Sequence, residues 1–133
     1  MPETARLGWV IAYVPDVEAA IAFYERAFGL ARRFVAEEGS YGELDTGSTT
    51  LAFASEELGT SNFDGGVQRP RAEDAPFNVE IALVFDDVEA AFAHATDSGC
   101  TALAAPQQKP QGQLVGYVRD PFGTLVEIAS PLG

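Results

Sequence analysis

Two glutamates interrupt strands that are otherwise apolar. Glu80 opens "EIALVF", and Glu127 sits inside "TLVEIAS". A carboxylate is costly to press against a packed core without a partner. Strand side chains alternate between faces, so Ile81, Leu83 and Phe85 should meet a helix layer and Glu80 the opposite, inner face. Val126 and Ile128 likewise point toward helices, with Leu125, Glu127 and Ala129 inward. Two inward carboxyls could bind a cation by charge. They could hold a hard divalent ion, Mg²⁺ or Mn²⁺, through oxygen atoms and waters. They could also share a proton, which would fit one of them for general-base work. The competing structural role is exposure on a sheet edge, or pairing with Arg32, Arg33 or Arg119.

What positions these residues is a repeat. "VPDVEAAIAFY" starts at Val14 and "FDDVEAAFAHA" at Phe85, and Asp16 and Asp87 are separated by 71 positions. At the same offset Val17, Glu18, Ala19, Ala20 and Ala22 recur as Val88, Glu89, Ala90, Ala91 and Ala93. Each copy runs from an apolar strand ("WVIAYV", "VEIALVF") through an Asp N-cap into a helix that a glycine stops, Gly29 or Gly99. Three further strand-like stretches follow in each half. There the offset is 75, relating Asp45 to Asp120, Thr49 to Thr124, Ala54 to Ala129 and Ser55 to Ser130. Inserted residues near "APQQKPQGQ" account for the change.

Duplication explains matches at both ends of the unit better than chance does. The predicted architecture is therefore α+β: two tandem βαβββ modules forming a curved mixed sheet around a cavity, within one domain spanning 1–133. Module 1 covers about 7–56 and module 2 about 77–131. Between them, 57–76 is polar, with Gly and Pro, and long enough to be a lid or a flexible linker. Equivalence through the repeat makes Trp9, Ala52, Glu80 and Glu127 four matching inner positions.

Composition narrows the partners. The chain has 133 residues and a formal net charge of −12. Such a surface repels phosphate backbones, and no basic stripe appears, so nucleic acid is not an expected partner. No apolar run approaches the ~20 residues of a membrane span. "MPETARLGW" lacks the apolar segment of a secretory signal, and the single cysteine, Cys100, excludes an internal disulfide or a Cys-rich zinc site. A cytoplasmic protein is expected.

The stretches "WVIAYVPDVEAAIAFYERAFGL", "VEIALVFDDVEAAFAHATDSG" and "GYVRDPFGTLVEIASP" resemble the vicinal oxygen chelate superfamily, which groups glyoxalase I, bleomycin-resistance proteins and extradiol dioxygenases. The resemblance runs from about Leu7 to Pro131. It implies metal ligands at four inner strand positions, which fall on Trp9, Ala52, Glu80 and Glu127. Only Glu80 and Glu127 carry a suitable atom, and His94, the one histidine, lies on the second helix. The expectation is therefore a binder of the bleomycin-resistance type without a cofactor, taking a small cationic or aromatic molecule. Its wall would be Trp9, Ile11, Tyr13 and Ala52, its charges Glu80 and Glu127, with Tyr117 and Phe122 at the rim. The alternative is a divalent-metal glyoxalase (lyase) or dioxygenase using Glu80 and Glu127 as ligands. A homodimer is implied by the same resemblance.

Overall fold

The computed structural model describes residues 3–132. It divides into two units, residues 1–68 and 69–133. Each contains one copy of the repeat.

In the first unit β1 (Trp9–Val14) leads to α1 (Val17–Phe28), then β2 (Ala31–Val35), β3 (Tyr41–Asp45), β4 (Thr50–Ser55) and a short α2 (Glu56–Asn62). The helix begins where Asp16 Oδ1 accepts the Ala19 N–H at 3.0 Å. It ends where Gly29 turns left-handed and its N–H closes on the Glu25 carbonyl. The second unit repeats the order with β5 (Glu80–Val84), α3 (Val88–Ser98), β6 (Thr101–Gln108), β7 (Leu114–Arg119) and β8 (Leu125–Ala129). Asp87 caps α3 as Asp16 caps α1.

The strands pair as two four-stranded mixed sheets, ordered β1-β4-β3-β2 and β5-β8-β7-β6. The register reproduces both offsets of the repeat. Trp9 pairs with Thr50 and Ile11 with Ala52; Glu80 pairs with Leu125 and Ala82 with Glu127. One match does not survive. Gly42 pairs with Phe53 and Gly116 with Ile128, so β3 and β7 are related by 74 rather than 75. Asp45 therefore corresponds to Arg119, not Asp120. The turn at 120–124 is one residue longer than the turn at 46–49. Part of the offset change thus lies outside the "APQQKPQGQ" loop.

Helix packing explains why those two equivalent residues are glycines. A Cβ on Gly42 would come within 3.1 Å of Ile21, and one on Gly116 within 2.9 Å of Phe92. Ile21 and Phe92 are themselves equivalent at offset 71. The helices thus cover the faces bearing Gly42 and Phe53, and Gly116 and Ile128. Trp9, Ile11 and Tyr13 in one unit, and Glu80 and Glu127 in the other, point away from them. The first core is the more aromatic, with Phe23, Tyr24, Phe28 and Phe53 all buried.

The connecting segment is not featureless. Ser55 Oγ accepts the Leu58 N–H and starts α2, whose Gly59 lies against the Tyr13 ring. Farther on, the buried Arg119 guanidinium donates to three carbonyls: Gly123 at 3.1 Å, Asp74 at 2.7 Å and Arg71 at 3.1 Å. This fastens 71–74 onto the β7–β8 turn. Gly123 has a φ of +95°, and an added Cβ would fall 2.4 Å from Pro70. Gly123→Ala should therefore destabilise the fold by about 1–3 kcal/mol through overpacking and backbone strain. Chemical denaturation checks this; an unchanged midpoint would mean the segment yields without cost.

Candidate functional site

In the second unit three side chains meet on the face away from α3. Glu127 on β8 faces Tyr117 across the β7–β8 ladder, and the Tyr117 hydroxyl donates to Glu127 Oε1 at 3.2 Å. Glu80, on the neighbouring strand β5, lies diagonal to Glu127, a separation that long side chains bridge. The two carboxyls are near enough for one proton to be shared between them. That sharing, with burial and the nearby Glu127 charge, raises Glu80 from 4.5 to about 7. Burial, and then the Glu127 charge, also raise the Tyr117 hydroxyl.

The arginines that could have neutralised this pair are engaged elsewhere. Arg32 binds Glu18 and Glu25 beside α1. Arg33 binds Glu43 and Asp45. Arg119, on the same strand as Tyr117, is spent on backbone carbonyls.

The first unit builds the equivalent constellation with different chemistry. Trp9 stands where Glu80 does, and Ala52 where Glu127 does. A carboxylate is nonetheless present. Glu43 on β3 faces Ala52 directly, at the position equivalent to Tyr117. Each copy thus carries one acid in this cross-strand pair, on opposite strands. The expectation that only the later half supplies acids to its inner face is corrected by Glu43.

Glu43 is 8% exposed. Its Oε2 accepts the Trp9 indole N–H at 3.0 Å and the Tyr41 hydroxyl at 2.7 Å; its Oε1 accepts from Arg33 at 3.0 Å. Burial works against its charge, but the bonds from Tyr41, Arg33 and Trp9 outweigh burial and hold the carboxyl below its usual range. Burial and the Glu43 bond push Tyr41 up to about 12. Three donors therefore favour the anion of Glu43, whereas the neighbouring carboxyl raises Glu80 toward neutrality. Alternation in "YGELD" puts Tyr41 and Glu43 on one face and is visible in the sequence. Arg33 joins them from β2, where continuing the Ala31–Asp45 and Arg32–Leu44 pairing brings it beside Glu43, at the register slip between Arg32 and Phe34.

Trp9 is 57% exposed and Ile11 is also exposed; Tyr13 is partly covered, and Ala52 is fully buried. Trp9 also borders an open hollow of about 660 Å³ with Glu3, Thr4, Ala5, Arg6 and Gly8.

The donor set does not fit a resident transition metal. The Trp9 indole N–H donates to Glu43 and Ala52 has no ligand atom, which leaves Glu80 and Glu127 as two carboxyls without an imidazole or thiolate. Among the described residues no group of three or more His, Cys, Asp or Glu side chains is gathered to hold an ion. His94 is exposed on α3, on the other side of its sheet. Among the described residues, too, no helix is long and apolar enough to cross a membrane.

The family model described as Glyoxalase/Bleomycin resistance protein/Dioxygenase superfamily matches residues 6–128. A glyoxalase-related enzyme from Fulvimarina pelagi shares the fold at a TM-score of 0.80 with 21% identity, over 96% of this chain and 89% of that one. A glyoxalase/bleomycin resistance protein/dioxygenase family enzyme from Burkholderia phytofirmans PsJN does so at 0.73 and 22%, over 95% and 98%. A glyoxalase/bleomycin resistance protein/dioxygenase from Nocardioides does so at 0.75 and 15%, over 99% and 87%. No curated protein matches the chain.

Proposed function

Starting from a chain that belongs to the Glyoxalase/Bleomycin resistance protein/Dioxygenase superfamily, we propose that it binds a small organic cation, with Glu80 and Glu127 as the charged recognition group and no resident metal. The observation that carries this reading is the placement of Glu80 and Glu127 on one face beside Tyr117, while Arg32, Arg33 and Arg119 are engaged elsewhere. Displacing the shared proton leaves two negative charges beside the Tyr117 ring, which suits a cation with an aromatic or alkyl body. In the first unit Trp9, Ile11 and Tyr13 offer an apolar face for a flat group. The net charge of −12 adds long-range attraction for cations. The assembly proposed with this function is a homodimer. Edge strand β1 leaves Trp9, Val10 and Ile11 exposed, a surface that a second copy would cover.

Thermal-shift and calorimetric titration with benzyltrimethylammonium tests the reading against benzoate as the anionic control. The cation should stabilise the protein, and Glu80→Gln combined with Glu127→Gln should weaken it about tenfold, as loss of charge-assisted contacts does. Stabilisation by benzoate instead would sink the proposal.

The raised Glu80 favours one second reading, metal-free proton transfer with Glu80 as general base, because a carboxyl near neutrality suits that task. Turnover of a hemithioacetal that Glu80→Gln abolishes would decide for it.

A further inference from the structure

We propose that Glu43 is a positioning residue for Trp9: held by Arg33 and Tyr41, its carboxylate fixes the indole ring in one orientation and so sets how this face receives an aromatic group. The second half of that statement rests on the reading of Trp9 as a binding residue; the first half does not.

The geometry is specific. β1 is an edge strand, and β4 separates it from β3. Adjacent strands lie about 4.8 Å apart. For its N–H to reach Glu43 on β3, the Trp9 side chain must lie across β4 instead of standing out from the edge. The β4 residue facing Glu43 is Ala52, whose small side chain gives the ring room and which is 0% exposed. Thr50, which pairs with Trp9, accepts from Arg33 at 3.0 Å. Ring, floor and anchor therefore form one assembly.

Without the anchor, an edge-strand tryptophan that is 57% exposed would sample several rotamers. A ligand stacking on it would then have to immobilise it. With the anchor, that ordering is done in the free protein, which is the source of affinity in a preorganised site. The acceptor itself does not wander. Arg33 and Tyr41 hold both its oxygens, and its burial keeps water from competing. Trp9 itself lines the hollow, together with Glu3, Thr4, Ala5, Arg6 and Gly8.

Trp9 is the only tryptophan, so its indole N–H gives a single signal in a nitrogen–proton correlation spectrum. In the unliganded wild type this signal should be shifted downfield and protected from exchange with water. Glu43→Ala should move it toward the position of free indole and speed its exchange. Glu43→Gln, which keeps an oxygen acceptor and the packing, should restore part of both effects. Tyr41→Phe should leave the signal nearly in place, because the indole bond remains. Circular dichroism establishes that each variant is folded.

For binding, the probe is 2-naphthol, neutral at pH 7. Trp9→Ala sets the full loss. Glu43→Ala should lose about 2- to 12-fold, the range expected for freeing one side chain, and Glu43→Gln less. An indole signal that Glu43→Ala leaves unmoved and protected overturns the positioning role. If that signal does move, but Trp9→Ala leaves 2-naphthol affinity unchanged, Trp9 is not a binding residue and only the ligand half falls.

Discussion

Tyr24→Ala lowers the unfolding free energy by about 3–5 kcal/mol, the cost of emptying a large aromatic site in a core. Tyr24 is fully buried. Its ring centroid lies 5.0 Å from both Phe28 and Phe53, so truncation leaves a cavity bounded by two rigid rings that cannot collapse into it. Total stabilities of domains run to about 5–15 kcal/mol, so this one change removes about a fifth or more. The repeat supplies the control. The equivalent residue in the second copy is Ala95, also fully buried. There the helix–sheet space is taken by Phe92, seated on Gly116. The second copy carries the larger Phe92 where the first has Ile21, and a small residue at Ala95, so Ala95→Tyr should overpack and not stabilise, by about 1–3 kcal/mol. Urea denaturation with fixed slope measures both. A loss below 1 kcal/mol for Tyr24→Ala would mean the first core rearranges freely, against the packing described.

The repeat was legible because duplicated helix entrances carry duplicated caps. Asp16 and Asp87 each bind the N–H three residues on, and Gly29 and Gly99 each end a helix. Period-two alternation then placed Trp9 and Glu80 on equivalent faces without any structural input. Identity misled where unlike roles fall on like residues. Ser55 and Ser130 match at offset 75, yet Ser55 caps α2 whereas Ser130 accepts the Leu114 N–H across the sheet. Asp45 and Asp120 match as letters, but Asp45 pairs with Arg33 and Asp120 organises a turn by accepting from Phe122 and Thr124. The helix α2 was illegible for a different reason. "EELGTSN" ends in four weak helix formers, Gly, Thr, Ser and Asn, and its place is set by Ser55 and by Tyr13 packing on Gly59.

Affinity for benzyltrimethylammonium rises with pH and levels off above neutrality, in the direction opposite to the carboxyl pair's own effect on stability. The shared proton belongs to the unliganded pair. Glu80 has its ordinary value of 4.5 raised to about 7, first by the bond to Glu127, then by burial and the Glu127 charge. Tyr117 is the other titratable group bonded to this pair, and it stays protonated throughout because its own shift is upward. A cation that needs both carboxylates ionised must expel the proton, so its apparent affinity scales with the ionised fraction and grows roughly 50-fold from pH 5 to pH 7. Binding near pH 6 should release close to one proton, seen in calorimetry as a heat that depends on the buffer's ionisation enthalpy; near pH 8 it should release none. For folding the sign reverses. A carboxyl raised in the native state binds its proton more tightly there than in the unfolded chain, so its stabilisation is complete below about 4.5 and fades as pH climbs through about 7. Glu80→Gln removes the proton-sharing partner and should flatten both curves, with weaker cation binding at pH 8. A wild-type affinity that is level from pH 5 to pH 8, or a slope that survives in Glu80→Gln, would show that the pair does not take up the cation. A ligand and a proton competing for one pair of oxygens leave no other way for the two pH dependences to oppose each other.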